Sequence, residues 1–355
     1  MKTIFILGAG ASKEAGGPLM NDFLDRADEL LRLKTQGIAG SEEAFRDVFN
    51  AISELRSVHS KAYLDLDNIE VLFGAIEIAQ LIGKLGNRNH KQIDQLRDSI
   101  IILIFKTLEI CIPFPIEQGH INPPIPYGAF VKMLADIQSH RTPTDPHRYS
   151  FITFNYDLSL DYALNYYGLN YDYCLSENVD LQKIPYLKLH GSINWGTCNK
   201  CDQIIPRYIN EVNFGPLFDF KFVNYNLGSK LSQKEHCGEP IKGPPILVPP
   251  TWDKMSYHKE LGNVWKIAAK ELSEAENIFI VGYSLPETDL FFRYLFALGS
   301  ESDTRIRRFW VFNPDNDVEG RFRDLIGRGI EKRFKYFPII FNAAIRQIAT
   351  ALEQP

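Results

Sequence analysis

The chain lacks most features that would place it at a glance. Five cysteines occur in 355 residues, Cys111, Cys174, Cys198, Cys201 and Cys237. This odd set with one close pair excludes a disulfide framework and fits a reducing cytoplasm. Basic residues are not in excess: 39 Lys and Arg stand against 44 Asp and Glu for a formal net charge of -5, and the pI is near 6.0. No direct nucleic-acid binding is therefore expected. Long unbroken apolar runs are missing too. The strongest, "SIIILIFKTLEICIPF" at 99–114, is interrupted by Lys106 and Glu109, so it reads as a buried helix and not a membrane span. The apolar part of "MKTIFILGAG" is too short for a signal peptide. The expectation is a soluble cytoplasmic protein with no membrane partner.

Core material is ample. With 45% hydrophobic residues, the chain can bury a full core, as one large domain with an insertion or as two domains sharing an interface. "TIFIL" (3–7) is a near-continuous β-branched and aromatic run, as a central parallel strand requires, and "GAGAS" follows at once. Pro18 suits the first turn of a helix, and "LMNDFLDRADELLRL" repeats apolar residues at helical spacing. From about 20 to 145 the signals are mainly helical, closing in the extended, proline-rich "IPFPIEQGHINPPIPYG". That is too long and too helical for an ordinary βα crossover, so a helical module inserted into a sheet domain is expected. Strand signals return at 149–157, 186–192, 244–250, 277–285 and 308–315, with helical patterns such as "KELGNVWKIAAKELSEA" between several of them. The alternation predicts an α/β fold with an open parallel sheet, whose ligand crevice lies beyond the carboxyl ends of the strands.

Gly8, Ala9, Gly10 and Ser12 follow the first strand. Two glycines there permit a tight turn and the close approach of a pyrophosphate, and a plain βα turn is the competing reading. A dinucleotide fingerprint would put its third glycine at position 13, which is Lys13, and would place an acidic residue about 20 residues on at the end of a second strand. That region is helical, so a dehydrogenase is disfavoured. The G-x-x-x-x-G-K-[ST] phosphate loop is absent as well. The second glycine pair in "GGP" (16–18) reads as the hinge of a loop folding over the ligand.

Polar residues cluster at the other strand ends. "TFNYD" puts Asn155 and Asp157 after a strand, where the Asn amide can hold a water or a sugar hydroxyl and the Asp can orient neighbours; an Asx-turn is the alternative. "LKLHGS" ends in His190, a candidate general base, against the commoner structural histidine. Gly282, Tyr283 and Ser284 follow a further strand, and Asn313 and Asp315 the next. Such groups suit an adenosine half held by its ribose hydroxyls.

The ordered set "GAGAS", "TFNYD", "LHGS", a C-x2-C, "VGYS" and "VFNPD" resembles the sirtuin (Sir2) family, and is most similar to divergent bacterial Sir2-like proteins that cleave NAD in antiviral defence. The resemblance spans residues 4 to about 315 and leaves the helical module unaccounted for. It implies a Rossmann-like parallel sheet of sirtuin type with a degenerate zinc-ribbon-like insertion, to which the helical signals add the inserted helical module. The implied boundaries are 1–19 and 146–340 for the NAD-binding catalytic domain, 20–145 for the helical module, 195–243 for the ribbon-like insertion and 341–355 for a C-terminal helix. Carried over residue by residue, Gly8, Ala9, Gly10 and Ser12 match the pyrophosphate loop. Asn155 and Asp157 match the residues beside the nicotinamide ribose, His190 the catalytic histidine, Gly282 and Ser284 the glycine-serine segment, and Asn313 the asparagine near the adenosine ribose.

Two departures qualify this. Where sirtuin deacylases continue into G-I-P-D-F-R, this chain reads "GGPLMNDF". Pro18 is kept, the arginine is absent, and Phe23 is left as candidate aromatic lid, which puts protein deacylation in doubt more than NAD binding. Cys198 and Cys201 have the spacing of half a tetrahedral zinc site, but the second half offers only Cys237, with Lys234 in place of a partner. His236 or a carboxylate would have to complete the set, and a decayed site is the alternative. The leading expectation is an NAD+ glycohydrolase with NAD as substrate and Asn155, His190 and Asp157 catalytic. An NAD-dependent deacylase or ADP-ribosyltransferase, and an NAD or ADP-ribose sensor without turnover, are the rivals. The chain ends about 40 residues after "VFNPD", so control by a homo-oligomer or a separately encoded ATPase partner is expected in place of a fused sensor.

Overall fold

The computed structural model describes residues 1–57, 63–140, 148–180, 182–211, 220–248, 258–287 and 289–353. Seven strands make one parallel sheet: β1 (Lys2–Leu7), β2 (Arg148–Thr153), β3 (Tyr171–Asp172), β4 (Ile184–Lys188), β5 (Asn277–Val281), β6 (Arg308–Phe312) and β7 (Phe334–Phe337). Their order is β7-β6-β5-β1-β2-β4-β3, and every neighbouring pair is parallel. The chain winds outward from β1 through β2 on one side and from β5 on the other. The switch point of this doubly wound sheet therefore lies between β1 and β5, and its crevice opens above their carboxyl ends.

The central strands are apolar on both faces because both are covered. Ile4, Phe5 and Ile6 of β1 and Ile278, Phe279 and Ile280 of β5 are all 0% exposed, although successive side chains point to opposite faces. Between β1 and β2 run α1 (Ala9–Lys13), α2 (Phe23–Arg32), α3 (Glu42–Ser57), α4 (Ile69–Ile82), α5 (His90–Cys111) and α6 (Tyr127–Ser139). After β2 come α7 (Ser159–Tyr166), α8 (His258–Ser273), α9 (Leu290–Gly299), α10 (Asp317–Leu325) and α11 (Phe341–Glu353). Phe130 of α6 meets Phe5 edge to face at 5.0 Å and Phe341 of α11 at 5.2 Å, so one aromatic seam ties α6 and α11 to β1.

The apolar run at 99–114 is helical as far as Cys111, as expected for a buried helix, and Phe114 already begins a short strand. Its helical part belongs to α5, which starts in a capping box: Asn89 accepts from the Gln92 amide and the Gln92 side chain accepts from the Asn89 amide, each at 3.0 Å. Among the described residues no helix is long and apolar enough to cross a membrane.

Three local expectations need correction. Pro18 does not begin a helix: α2 starts at Phe23, and the Asp22 carboxylate takes the Leu19 amide in the preceding turn. The glycines before it are packed, not loose. Gly16 has φ +99°, and a Cβ there would lie 2.3 Å from the Cys111 carbonyl oxygen at the end of α5, so close approach is what requires glycine. The strand expected at 244–250 is only Ile246–Leu247, antiparallel to Gly191–Ser192 and outside the main sheet. The prolines on either side have no N–H to give a ladder, and 249–250 lie outside the described residues. The edge strands β3 and β7 carried no strand signal of their own.

Candidate active site

All five carboxyl ends at the middle of the sheet meet one cavity of about 810 Å³, within the size range of small-molecule sites. Ala9, Gly10 and Ser12 after β1, Asn155 and Asp157 after β2, and His190 after β4 line it. So do Gly282, Tyr283 and Ser284 after β5 and Asn313 and Asp315 after β6. Gly8 stands behind this wall. The opposite wall is apolar and comes from outside the sheet: Ile69 and Phe73 of α4 and Ile104 and Leu108 of α5. Phe23, the candidate lid, is also in the lining.

The glycines are explained first by how two turns fit together. A Cβ on Gly10 would sit 2.8 Å from the Gly282 carbonyl oxygen, and one on Gly282, whose φ is +62°, would sit 2.2 Å from the Ala11 nitrogen. The backbones are hydrogen-bonded across this contact, Gly8 N–H to Val281 O at 3.0 Å and Gly10 N–H to Gly282 O at 2.8 Å, while Ala11 N–H returns to Gly8 O at 2.9 Å. These three amides therefore serve the protein itself. Close backbone packing, which a sequence cannot separate from phosphate approach, accounts for "GAG".

Behind that turn lies a closed polar network. The Ser12 hydroxyl donates to Asp157 Oδ2 at 2.6 Å and accepts from Asn155 Nδ2 at 3.0 Å and from the Tyr127 hydroxyl at 2.8 Å. Its one donor and two acceptor sites are thus filled. Asn155 Nδ2 also donates to the Gly8 carbonyl at 2.9 Å. A carbonyl can only accept, so the amide nitrogen must face Gly8 and Oδ1 is the half of Asn155 available to a ligand. Asp157 Oδ1 accepts from the Ser159 amide at 2.9 Å. Burial, reinforced by Asp157, holds the Tyr127 hydroxyl well above its ordinary value, so it stays a neutral donor.

A second buried layer supports the first. Lys188 and Asp161, both 0% exposed, pair at 3.2 Å, and the Lys188 ammonium also donates to the Asp157 carbonyl at 2.7 Å. The Tyr173 and Tyr186 hydroxyls donate to Asp161. The charged pair is fully coordinated, which is the condition for burying it at tolerable cost. This layer escaped notice in the sequence, although a lysine inside "YLKL" was its one visible sign.

His190 is 3% exposed. Its ring meets Phe154 edge to face at 5.1 Å, and Phe154 in turn stacks on Tyr283 at 4.1 Å and 10°. Asp289, 1% exposed at the start of α9, brings Oδ2 to 3.8 Å from His190 Nε2 and accepts from the Tyr283 hydroxyl at 2.7 Å. Asp289 was missed, although an Asp before an apolar helical run is a helix-start signal. Arg321 of α10, also missed, lines the cavity and donates to the Ser284 carbonyl at 3.2 Å. The Asx-turn weighed for "TFNYD" is met at Asp157, whose Oδ1 takes the Ser159 amide at 2.9 Å, and the same turn recurs at Asn313, where Oδ1 accepts from the Asp315 amide at 3.1 Å, and at Asp315, where Oδ1 accepts from the Asp317 amide at 3.0 Å.

The cysteine cluster lies in the insertion, at the turns of two hairpins. Trp195–Thr197 pairs with Ile204–Pro206 around Cys198 and Cys201, and Glu235–His236 pairs with Glu239–Pro240 around Cys237. The ligand atoms of Cys198, Cys201, His236 and Cys237 all lie within 4.8 Å of one another. His236 Nδ1 is 3.5 Å from Cys201 Sγ and 3.3 Å from Cys237 Sγ. Tetrahedral Zn²⁺ with bonds of about 2.3 Å to sulfur and about 2.0 Å to nitrogen requires S···N near 3.5 Å. The donor set fits a closed structural zinc, with His236 completing the three thiols.

No family model matches the chain, and no curated protein matches it. Solved structures do. A Sir2 homologue in complex with ADP-ribose aligns over 99% of this chain and 92% of its own at 12% identity and a TM-score of 0.44. A Sir2 homologue in complex with NAD aligns over 99% and 90% at 13% identity and a TM-score of 0.43. Sir2 with a p53 peptide and NAD+ aligns over 98% and 92% at 10% identity and a TM-score of 0.40. The chain is similar to these Sir2 structures along nearly its whole length, at low identity.

Proposed function

We propose that the protein is an NAD+ glycohydrolase, converting NAD+ and water to nicotinamide and ADP-ribose. The observation that carries this reading is the convergence of Asn155, Asp157 and His190 with the β1, β5 and β6 turns on one cavity at the switch point of the sheet. Asn155 Oδ1 accepts from the attacking water or a ribose hydroxyl. His190 takes the proton. Asp157 orders the site through Ser12, and the Ser12 hydroxyl, having no free valence, positions Asn155 instead of touching the ligand. Loss of nicotinamide passes through an oxocarbenium-like ribose. With the Gly8, Gly10 and Ala11 amides engaged elsewhere, Arg321 and Lys13 are the cations in the lining for the diphosphate.

Water is favoured over an acylated protein as acceptor because α4 and α5 wall the cavity with Ile69, Phe73, Ile104 and Leu108. In this reading 20–145 is a module that covers the site and 195–243 is a zinc-stapled insertion. A role in bacterial antiviral defence by NAD+ depletion, in a cytoplasmic homo-oligomer or with an ATPase partner, rests on the motif resemblance alone. Incubation of purified protein with NAD+, with and without an acetyl-lysine peptide, tests the reaction class. Nicotinamide and ADP-ribose in equal amounts without peptide are expected. Nicotinamide release that needs the peptide would make it a deacylase, and tight ADP-ribose binding without turnover would make it a sensor.

A further inference from the structure

We infer that Asp289 is the positioning residue for His190, holding the ring and stabilising the imidazolium formed during turnover. The inference rests on the hydrolase reading for its chemistry and on the geometry of His190, Asp289 and Tyr283 for its structure. In the step concerned, the water oxygen bonds to C1 of the nicotinamide ribose, the glycosidic electron pair leaves with nicotinamide, and the water proton passes to His190. A positive charge then appears on a ring that is 3% exposed. Burying such a charge without a counterion is costly, and among the described residues the Asp289 carboxylate is placed to balance it, with Oδ2 3.8 Å from Nε2. That is longer than a hydrogen bond to the neutral ring and within ion-pair range of the charged one.

The carboxylate is itself fixed. The Tyr283 hydroxyl donates to the same Oδ2 at 2.7 Å, and the Asp289 amide donates to the Pro286 carbonyl at 3.0 Å. Tyr283 stacks on Phe154, and Phe154 holds the His190 ring edge to face, so ring and carboxylate share one aromatic support. Burial, then the Asp289 charge, keeps Tyr283 neutral and therefore a donor. Of the titratable groups packed against the imidazole, Tyr156 has its ring at 6.4 Å and its hydroxyl donates to the Val248 carbonyl. Asp157, Glu70 of α4 and Arg321 of α10 share the cavity. Among the described residues the Asp289 carboxylate lies at ion-pair distance of the ring.

An opposite charge this close raises the pKa of a histidine by about 1 unit or more. The test is an NMR titration of histidine-labelled protein, with His190 assigned by its loss in His190→Gln, in wild type, Asp289→Asn and Tyr283→Phe. The His190 pKa should fall by about 1 unit in Asp289→Asn, which keeps an oxygen to accept from Tyr283. It should rise in Tyr283→Phe, where the carboxylate loses a competing donor. The acid limb of the kcat/KM profile should move with it, with the larger loss in kcat and the smaller change in KM, and Asp289→Glu should restore part of the rate. An unchanged His190 pKa in Asp289→Asn, or a shift of the same sign in both variants, overturns the inference. The titration needs no turnover, so failure of the hydrolase reading leaves this result separately readable.

Discussion

Glu109 offers a quantitative test of how the helices are joined to the insertion. It sits in the last turn of α5 at 3% exposure, one residue after the cavity-lining Leu108, and its carboxylate accepts from both the amide and the hydroxyl of Ser229. Burial outweighs those bonds and pushes its pKa from 4.5 up to about 7. Between those two values the folded protein keeps a proton that the unfolded chain has released. The stabilisation is therefore fully present below pH 4.5 and is lost as pH rises through about 7. The shift of about 2.5 units corresponds to roughly 3 kcal/mol. Glutamine mimics the protonated acid, so in Glu109→Gln this dependence vanishes. Urea unfolding of both proteins from pH 4.5 to 8 should give a difference in stability that changes by roughly 3 kcal/mol in favour of the variant as pH rises. Carboxylates held low by cations, such as Glu54 beside Arg88, act equally in both proteins and cancel. Parallel stability profiles would refute the reasoning.

The remaining predictions concern the layers around the site. Lys188→Met leaves Asp161 buried without its cation and should cost about 3–5 kcal/mol, most of it recovered when Asp161→Asn is added, as read by denaturant unfolding. Purified protein should carry about one equivalent of zinc by elemental analysis, and Cys201→Ser should lower that content and speed proteolysis within 195–243 while leaving the sheet intact. Arg321→Gln should raise KM for NAD+ about tenfold with little change in kcat, and should leave hydrolysis of nicotinamide riboside, which has no phosphate, unchanged.

Much of the frame was visible in the residues because buried parallel strands announce themselves. "TIFIL", "NIFIV" and "RFWVF" are apolar on both faces, and their switch into polar turns marks the carboxyl ends where the cavity lies. Asn155, Asp157 and His190 stood out for the same reason, as polar groups directly after buried strands, although each had a bland reading of its own, an Asx-turn or a structural histidine. What stayed hidden depends on contacts distant in sequence. Nothing near "GAGAS" says that its amides belong to the β5 turn, or that Ser12 is saturated by residues 115 and 145 positions away. Tyr127 lies at the end of a proline-rich stretch that reads as connection, and Lys188 is polar in a strand that should be apolar. Nothing in the sequence beside Asp289 says that Tyr283 and His190 meet its carboxylate. The choice between His236 and a carboxylate as fourth donor stayed open in the sequence, because only the paired hairpins bring His236 to Cys201.

The central claim is most directly tested by nicotinamide release from NAD+ by wild type, Asn155→Ala and His190→Ala, each first shown to melt as a folded protein. The account predicts release by wild type and loss of at least about 100-fold in each variant. Undiminished release by either variant would contradict it.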